Sequence, residues 1–192
     1  AGMPAGVFQV ITGEAAPLAR RLLEHTDVRA FSFTGSTEVG RILLSQSSAT
    51  VKKASLELGG HAPFILFDDA EFSKAVKGCI GAKFATSGQD CLAANRIYVQ
   101  RGNHDRFVDA FAKATRELKV GHGLEPATKI GPMTRLTVAE KCRQQIAQAL
   151  SAGARLVCGG QDSPLGGNFV MPTVLADVTD EMLIAREETF GP

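Results

Sequence analysis

The chain has 192 residues, of which 44% are hydrophobic and 21% charged, and its 21 basic and 20 acidic side chains give a formal charge of +1. This composition excludes a disordered chain, and the charge balance gives no reason to expect nucleic acid or an anionic membrane surface as a partner. No stretch approaches the roughly 18 consecutive apolar residues of a membrane-spanning helix. With the charge balance, this predicts a protein that binds neither nucleic acid nor a membrane, and four scattered cysteines without a CxxC pair favour reduced thiols and a cytoplasmic location.

The first part of the chain alternates between strand-like and helix-like patterns, which predicts an α/β fold. The predicted elements are a strand at Val7–Ile11, a helix at Ala16–His25 with Leu18, Leu22 and Leu23 on one face, a strand at Val28–Phe33, a helix over about 36–46 and an extended run at Lys53–Leu58. That run stops at Gly59-Gly60, where the pattern restarts. We therefore place a boundary between two pieces near this glycine pair.

The same alternation continues after the glycine pair. The predicted elements are a strand at Pro63–Phe67, a helix with apolar positions from Phe72 to Phe84, a strand over 96–99, helices at His104–Leu118 and Thr137–Ala152, and strands over 155–160 and 169–175. Asp68 with Glu71, and Thr137 with Glu140, have the spacing of capping boxes that begin helices. Because the chain starts on an unpaired strand and stops within "EETFGP", we expect a fragment of a longer protein.

The first candidate ligand site is "FSFTGSTEVG", Phe31–Gly40. A strand, a glycine turn and a helix opening with Ser-Thr direct free backbone N–H groups and the positive end of the helix dipole towards a phosphate. The run lacks the GxGxxG fingerprint of dinucleotide-binding proteins. On these residues alone, an ordinary turn with Ser36 as the N-cap is favoured over a phosphate site.

The second candidate is Glu57 in "ASLELGG", Ala54–Gly60. Strand alternation places its side chain on the face opposite Leu56 and Leu58. A solvated charge on an outer face is the usual outcome. Alternatively, the two glycines let a ligand approach the backbone, and partial burial raises the pKa of Glu57 so that the side chain acts as a base near neutral pH.

The third candidate is Cys91, in "GQDCLAANRIYVQ". The other cysteines are Cys79, Cys142 and Cys158; the four form no CxxC pair, which argues against a metal site or a disulfide framework. Most such thiols are small buried hydrophobes. A nucleophilic thiol needs help from N–H dipoles or a cation. If the backbone forms a helix or nest around residues 93–95, the amide of Cys91 can face a developing oxyanion.

The chain contains, in this order, the motifs "FTGSTEVG", "LELGG", "GQDCLAANRIYVQ", "IGP" and "EETFGP". Over essentially its whole length, the chain resembles the aldehyde dehydrogenase superfamily, and these motifs carry the resemblance. The resemblance implies an α/β protein in which residues 1–58 are the second part of a Rossmann-like coenzyme-binding domain. Residues 59–192 would be most of the α/β catalytic domain, truncated at its C-terminal end. It also implies a small aldehyde as substrate, NAD or NADP as coenzyme, no metal, and a homo-oligomeric full enzyme, dimer or tetramer.

By the same resemblance, Cys91 is the nucleophile and Glu57 the general base. The residues implied to meet the coenzyme are Phe33, Gly35, Ser36 and Val39 at the turn and helix, Leu58 and Gly59 beside the nicotinamide, and Glu188 and Phe190 at its ribose. The implied reaction oxidises an aldehyde to an acid through a cysteine thiohemiacetal and thioester. We expect little or no activity from the 192 residues alone, because half of the coenzyme site lies outside them.

Within the superfamily, "SLELGGHAPFILFDDAEFSKAVKG" and "ANRIYVQ" look like the succinate-semialdehyde dehydrogenase group. Many members of that group carry an arginine six residues before the nucleophile, where this chain has Ala85. A methyl group there removes a charge-assisted partner for the substrate's distal carboxylate. We expect oxidation of succinate semialdehyde to succinate; the alternatives are another small aldehyde, or an inactive fragment or binding module of the same fold.

Overall fold

The computed structural model describes residues 2–192; Ala1, which falls in the first predicted domain, lies outside the described residues. The chain divides into two compact units, Ala1–Gly59 and Gly60–Pro192. Both units combine helices with strands, which confirms the predicted α/β class. Among residues 2–192, no helix is both long enough and apolar enough to cross a membrane.

The first unit is built around one strand-helix-strand repeat. Its elements are helix α1 (Ala15–Glu24), strand β1 (Ala30–Gly35), helix α2 (Thr37–Ser47) and strand β2 (Lys53–Leu58). The two strands pair in parallel, from Ala30 opposite Lys53 to Gly35 opposite Leu58. On α1, Leu23 is buried but Leu22 is half exposed, so the predicted apolar face is wrong at Leu22. Successive helical residues point about 100° apart, and only one of the two can face the contact.

The predicted strand at Val7–Ile11 is wrong, since this segment has no regular secondary structure. Four apolar side chains in it are exposed, with Phe8 at 75%. A strand needs a neighbour to satisfy its backbone N–H and C=O groups. Within the described residues, the only backbone bond of this segment runs from the Val7 N–H to the Pro4 carbonyl. A short run rich in apolar residues was therefore not sufficient to form a strand here.

The second unit repeats the strand-helix-strand arrangement and adds further helices and a small antiparallel pair. Its elements are β3 (Ala62–Leu66), α3 (Phe72–Phe84), β4 (Ala94–Val99), α4 (His104–Arg116), α5 (Leu136–Ser151), β5 (Arg155–Cys158), β6 (Val174–Ala176) and α6 (Leu183–Arg186). Strands β3 and β4 are parallel, and β5 and β6 antiparallel. The strand predicted over 169–175 is confirmed only at its end, because Pro172 has no N–H to donate to a ladder.

The core of the second unit lies where α3 and α4 pack beside β3. Its buried residues are Leu66, Cys79, Phe84, Phe107, Phe111 and Ile130. The Phe111 ring stacks on Phe84 at a centroid distance of 6.0 Å and on Phe107 at 5.6 Å. The apolar stripe predicted for α3 is thus confirmed. It fixes the C-terminal end of α3, and the chain runs from there to Cys91.

The two predicted capping boxes are not formed. Helix α3 has Glu71 at its N-cap position and α5 has Arg135 there, and neither helix has a side-chain cap. The Glu71 carboxylate accepts from Ser73 Oγ at 3.1 Å and pairs with Lys74 at 2.6 Å. In α3, donors two and three positions further along the chain therefore outcompete the reciprocal cap.

Candidate active site

In the first unit, the predicted coenzyme residues gather at one edge. Because β1 and β2 are parallel, their carboxyl ends meet: Gly35 is opposite Leu58, and Thr34 opposite Glu57. The carboxyl ends of parallel strands are the usual ligand-binding edge of an α/β sheet. The residues at this edge or at the adjoining start of α2 are Phe33, Gly35, Ser36, Val39, Glu57, Leu58 and Gly59.

The turn between β1 and α2 has the predicted local structure. Ser36 is the N-cap of α2, and its Oγ accepts from the Val39 N–H at 3.3 Å. The Phe33 ring lies over Gly35, where a Cβ would come 2.5 Å from Phe33 Cζ. This confirms the N-cap. Gly35 itself has no side chain, and the turn leads into the N-terminus of α2, which is the geometry that suits a phosphate.

Glu57 lies on the predicted face of its strand. Along β2 the exposed and half-buried residues alternate, with Glu57 exposed and its leucine neighbours half buried. The strand alternation is therefore confirmed. The partial burial expected of a catalytic Glu57 is therefore wrong for this chain, and its role as the general base stays a prediction.

Cys91 lies on the loop between α3 and β4, residues 85–93, which we call the Cys91 loop. The Ala93 N–H donates to the Asp90 carbonyl at 3.1 Å, and the Leu92 N–H to Asp90 Oδ1 at 2.9 Å. Strand β4 begins at Ala94, so a helix around residues 93–95 is not formed. Within residues 2–192, no protein atom accepts a hydrogen bond from the Cys91 N–H. That N–H can therefore donate to a substrate oxygen.

The Cys91 loop is anchored to the segment that contains the "IGP" motif. Ser87 Oγ accepts from the Gly131 N–H at 2.9 Å, and Gln89 Oε1 from the Thr134 N–H at 2.9 Å. The Gln89 side chain also donates to the Pro132 carbonyl at 3.2 Å. Neither anchor was predictable from the sequence, because each bond joins residues more than 40 positions apart and no local pattern predicts such a contact.

Gly60 brings two predicted site residues together in the second unit. Its N–H donates to Glu188 Oε1 at 3.1 Å. On its other side, a Cβ at Gly60 would overlap the carbonyl oxygen of Cys91. The backbone of Cys91 and the carboxylate of Glu188 therefore meet at a position that only glycine can occupy. The glycine pair was noticed in the sequence, but its contact with Cys91 was not predicted.

We expect Gly60→Ala to lower the free energy of unfolding of the 192-residue chain by about 1–3 kcal/mol, the usual cost of overpacking. The new methyl group must displace the Cys91 carbonyl, so the rate of Cys91 alkylation should change as well. Urea titration and iodoacetamide labelling measure the two effects. The matched control is Gly78→Ala in α3, where a Cβ meets nothing within 4 Å; it should stabilise the chain by up to about 1 kcal/mol. Equal stability of Gly60→Ala and wild type would contradict the close contact.

The four thiols differ in accessibility. Cys79, Cys142 and Cys158 are buried, whereas Cys91 is partly exposed. Burial raises the pKa of Cys79 to about 12 and also raises the pKa of Cys142 and of Cys158. These three thiols fit the predicted role of small buried hydrophobes, and Cys91 does not. Within residues 2–192, no cluster of three or more His, Cys, Asp or Glu side chains is placed to hold a metal ion.

A half-buried polar network lies beside the Cys91 loop. Lys83, in the last turn of α3, donates to Asn95 Oδ1 at 2.6 Å and to the Gly191 carbonyl at 2.8 Å. Asn95 Nδ2 lies 3.3 Å from His61 Nδ1. Burial lowers the pKa of Lys83 to about 8. Burial, together with the nearby Arg96, lowers the pKa of His61. One feature of the sequence indicated this network: Lys83 is a charged residue four positions after Cys79, and therefore lies on the apolar stripe of α3.

The half-buried Lys83 should make the stability of the chain depend on pH. Its pKa is about 8 in the folded chain against an ordinary 10.5. Between these values the unfolded chain holds a proton that the folded chain lacks, so the free energy of unfolding should rise with pH. Below about 8 the cost of the buried charge is present in full, and above about 10.5 it is gone. The whole rise corresponds to about 3 kcal/mol.

Urea titrations at about pH 7 and about pH 10 test this rise, with Lys83→Met as the variant that cannot titrate. The increase in unfolding free energy should be smaller in Lys83→Met than in wild type. Lys77→Met, an exposed position on the same helix, should retain it. An identical increase in wild type and Lys83→Met would show that Lys83 does not lose its proton in this range.

Comparison with known proteins identifies the family. The profile of the aldehyde dehydrogenase family matches residues 1–192, so the chain belongs to that family. It is 52% identical to a 3-sulfolactaldehyde dehydrogenase of Pseudomonas putida and 50% identical to the succinate-semialdehyde dehydrogenase [NADP(+)] GabD of Escherichia coli. Both matches cover all of this chain but only 40% of the relative. The crystal structure of a succinate-semialdehyde dehydrogenase from Burkholderia pseudomallei matches with a TM-score of 0.97 and 46% identity, over 100% of this chain and 40% of that one.

Proposed function

We propose that the chain is part of an aldehyde dehydrogenase in which Cys91 is the nucleophile and NAD or NADP is the coenzyme. The single observation that carries this proposal is the setting of Cys91. It is a partly exposed thiol on an anchored loop, with a free backbone N–H and with Gly60 joining its backbone to the Glu188 carboxylate. Membership of the aldehyde dehydrogenase family supports the assignment.

In the proposed reaction, the Cys91 thiolate adds to the aldehyde carbonyl and forms a thiohemiacetal. Its oxyanion accepts a hydrogen bond from the Cys91 N–H, which has no other acceptor among the described residues. The nicotinamide coenzyme, when bound, supplies the hydride acceptor. Loss of the hydride leaves a thioester on Cys91. Glu57 then takes a proton from water, which attacks the thioester, and the acid and the free thiol are released.

The residues of the chain fit such a coenzyme. Gly35, over which the Phe33 ring lies, has no side chain of its own, and the turn leads into the N-terminus of α2, which suits a diphosphate. Glu188 offers carboxylate oxygens to ribose hydroxyls, next to the Cys91 backbone. We further propose that Glu57 of the first unit and Cys91 of the second act on one substrate, and that the complete enzyme is a homo-oligomer, dimer or tetramer.

The substrate we propose is a short aldehyde that carries a distal acid group, with succinate semialdehyde as the first candidate. The named substrates of two relatives support this class, one bearing a sulfonate and the other a carboxylate. Ala85, at the end of α3, is exposed and supplies no cation. The cation that would bind the acid group must therefore come from another position of the complete enzyme. By complete enzyme we mean the full-length protein that carries these 192 residues.

The test compares succinate semialdehyde with butanal, a neutral aldehyde of equal length, using the complete enzyme and each coenzyme in turn. We expect kcat/KM to be at least about tenfold higher for the semialdehyde, because a hydrogen bond to a charged group contributes roughly 1.5–3 kcal/mol. The 192-residue chain alone should show little or no turnover. Equal values for the two aldehydes would favour another small aldehyde. No coenzyme reduction with either substrate would favour the inactive binding module.

A further inference from the structure

Residues Glu187–Gly191, which we call the Glu188 segment, are held by side chains from two helices. The bonds run from Gln145 to the Glu187 carbonyl at 3.4 Å, from Lys141 to the Glu188 carbonyl at 2.5 Å, from Cys142 Sγ to the Thr189 carbonyl at 3.9 Å and from Lys83 to the Gly191 carbonyl at 2.8 Å. The first three donors lie on α5, and Lys83 lies on α3. Four of the five carbonyls of the segment are thus fixed by side chains.

These hydrogen bonds lie on both sides of Phe190, whose backbone is strained. Phe190 has φ 56°, in the left-handed region that residues other than glycine rarely adopt. Such a conformation persists only when the surrounding structure enforces it. Thr189 is held on one side by Cys142 and Gly191 on the other by Lys83. A Cβ at Gly191 would overlap Cys142 Sγ, so the segment lies tightly against α5.

Lys83 is the donor that joins the Glu188 segment to the elements on both sides of Cys91. Its Nζ lies at the end of α3, before the Cys91 loop, and also binds Asn95 on β4, after the loop. Gly88 of the loop packs against the same Gly191 carbonyl that Lys83 binds, since a Cβ at Gly88 would overlap that oxygen. The charge-assisted bonds of one ammonium group therefore connect three elements of the second unit.

We propose that Lys83 is a positioning residue for the coenzyme: by fixing Gly191 it keeps Phe190 in its left-handed conformation and Glu188 on Gly60. This rests on the proposed function, in which Glu188 and Phe190 meet the coenzyme. Lys83 itself does not touch the coenzyme. Gly88 of the Cys91 loop also packs on the Gly191 carbonyl, but the loop has independent anchors in Ser87 and Gln89. Loss of Lys83 should therefore change coenzyme affinity far more than the reactivity of the thiol.

The test measures Lys83→Met in the complete enzyme, with Lys77→Met as the matched control on the same helix. The readouts are the dissociation constants of NAD and NADP by calorimetry, the iodoacetamide alkylation rate of Cys91 without coenzyme, and kcat at saturating coenzyme. Loss of charge-assisted bonds should raise the coenzyme dissociation constant roughly tenfold or more in Lys83→Met, with the alkylation rate and kcat within about twofold of wild type. Lys77→Met should match wild type in all three.

Each other outcome overturns a defined part of the proposal. An unchanged dissociation constant in Lys83→Met would remove the positioning role and leave the proposed function intact. An alkylation rate that changes as much as the coenzyme affinity would show that Lys83 supports the fold in general. Failure of the wild-type enzyme to bind either coenzyme would refute the proposed function itself. If Lys83→Met cannot be purified folded, Lys83→Gln, which reaches at most one of the two acceptors, is judged by the same criteria.

Discussion

Cys91→Ser in the complete enzyme is expected to lower kcat for aldehyde-dependent reduction of the coenzyme by about 10⁴-fold or more, the scale seen when a catalytic nucleophile is removed. A serine hydroxyl has nearly the same size and keeps the backbone N–H of the loop. It is a much weaker nucleophile than a thiolate, so only the covalent step is lost. Steady-state rates with succinate semialdehyde measure the loss, and the coenzyme dissociation constant should stay within about twofold of wild type.

The control for Cys91→Ser is Cys158→Ala, which removes a buried thiol from β5 and should retain nearly full activity. A limiting amount of iodoacetamide should label Cys91 before the three buried thiols and abolish activity in proportion. If Cys91→Ser kept more than about a tenth of the wild-type rate, covalent catalysis at this position would be excluded.

The parts of the candidate site that were predictable from the sequence depend on short stretches of chain. Ser36 caps α2 because its hydroxyl reaches an N–H three residues further on. Glu57 lies opposite its leucine neighbours because side chains alternate along a strand. The apolar stripe of α3 follows from helical periodicity. In each case the deciding interaction joins residues close together in the chain, so the pattern of residue types was sufficient to predict the structure.

The parts that were not predictable depend on residues far apart in the chain. The bond from Gly60 to Glu188 spans 128 positions, and the bond from Lys83 to Gly191 spans 108. Neither end has a local pattern that selects the other. The predicted strand at Val7–Ile11 failed for a related reason, since a strand forms only with a neighbour to pair with. The sequence motifs drew attention to Cys91, but its backbone contact with Gly60 required the fold.

Replacement of Glu57 should separate the two halves of the proposed reaction. In Glu57→Gln, the amide cannot take a proton from water, while Cys91 and its free N–H are untouched. The complete enzyme should therefore still form the thioester and release a burst of reduced coenzyme equal to the number of active sites. Steady turnover should fall by about 10²–10⁴-fold, the usual contribution of a positioned general base. Rapid-mixing measurement of the burst and of the following linear rate gives both quantities in one experiment.

The matched control for Glu57→Gln is Glu24→Gln, another exposed carboxylate, at the end of α1, which should leave burst and steady rate at wild-type values. Glu57 is exposed on β2 in the 192-residue chain, so in this chain the substitution removes no buried contact and should not change the free energy of unfolding by more than about 0.5 kcal/mol. A steady rate equal to wild type would remove Glu57 from the mechanism. Loss of the burst itself would instead place Glu57 in the activation of the Cys91 thiol, before the hydride leaves.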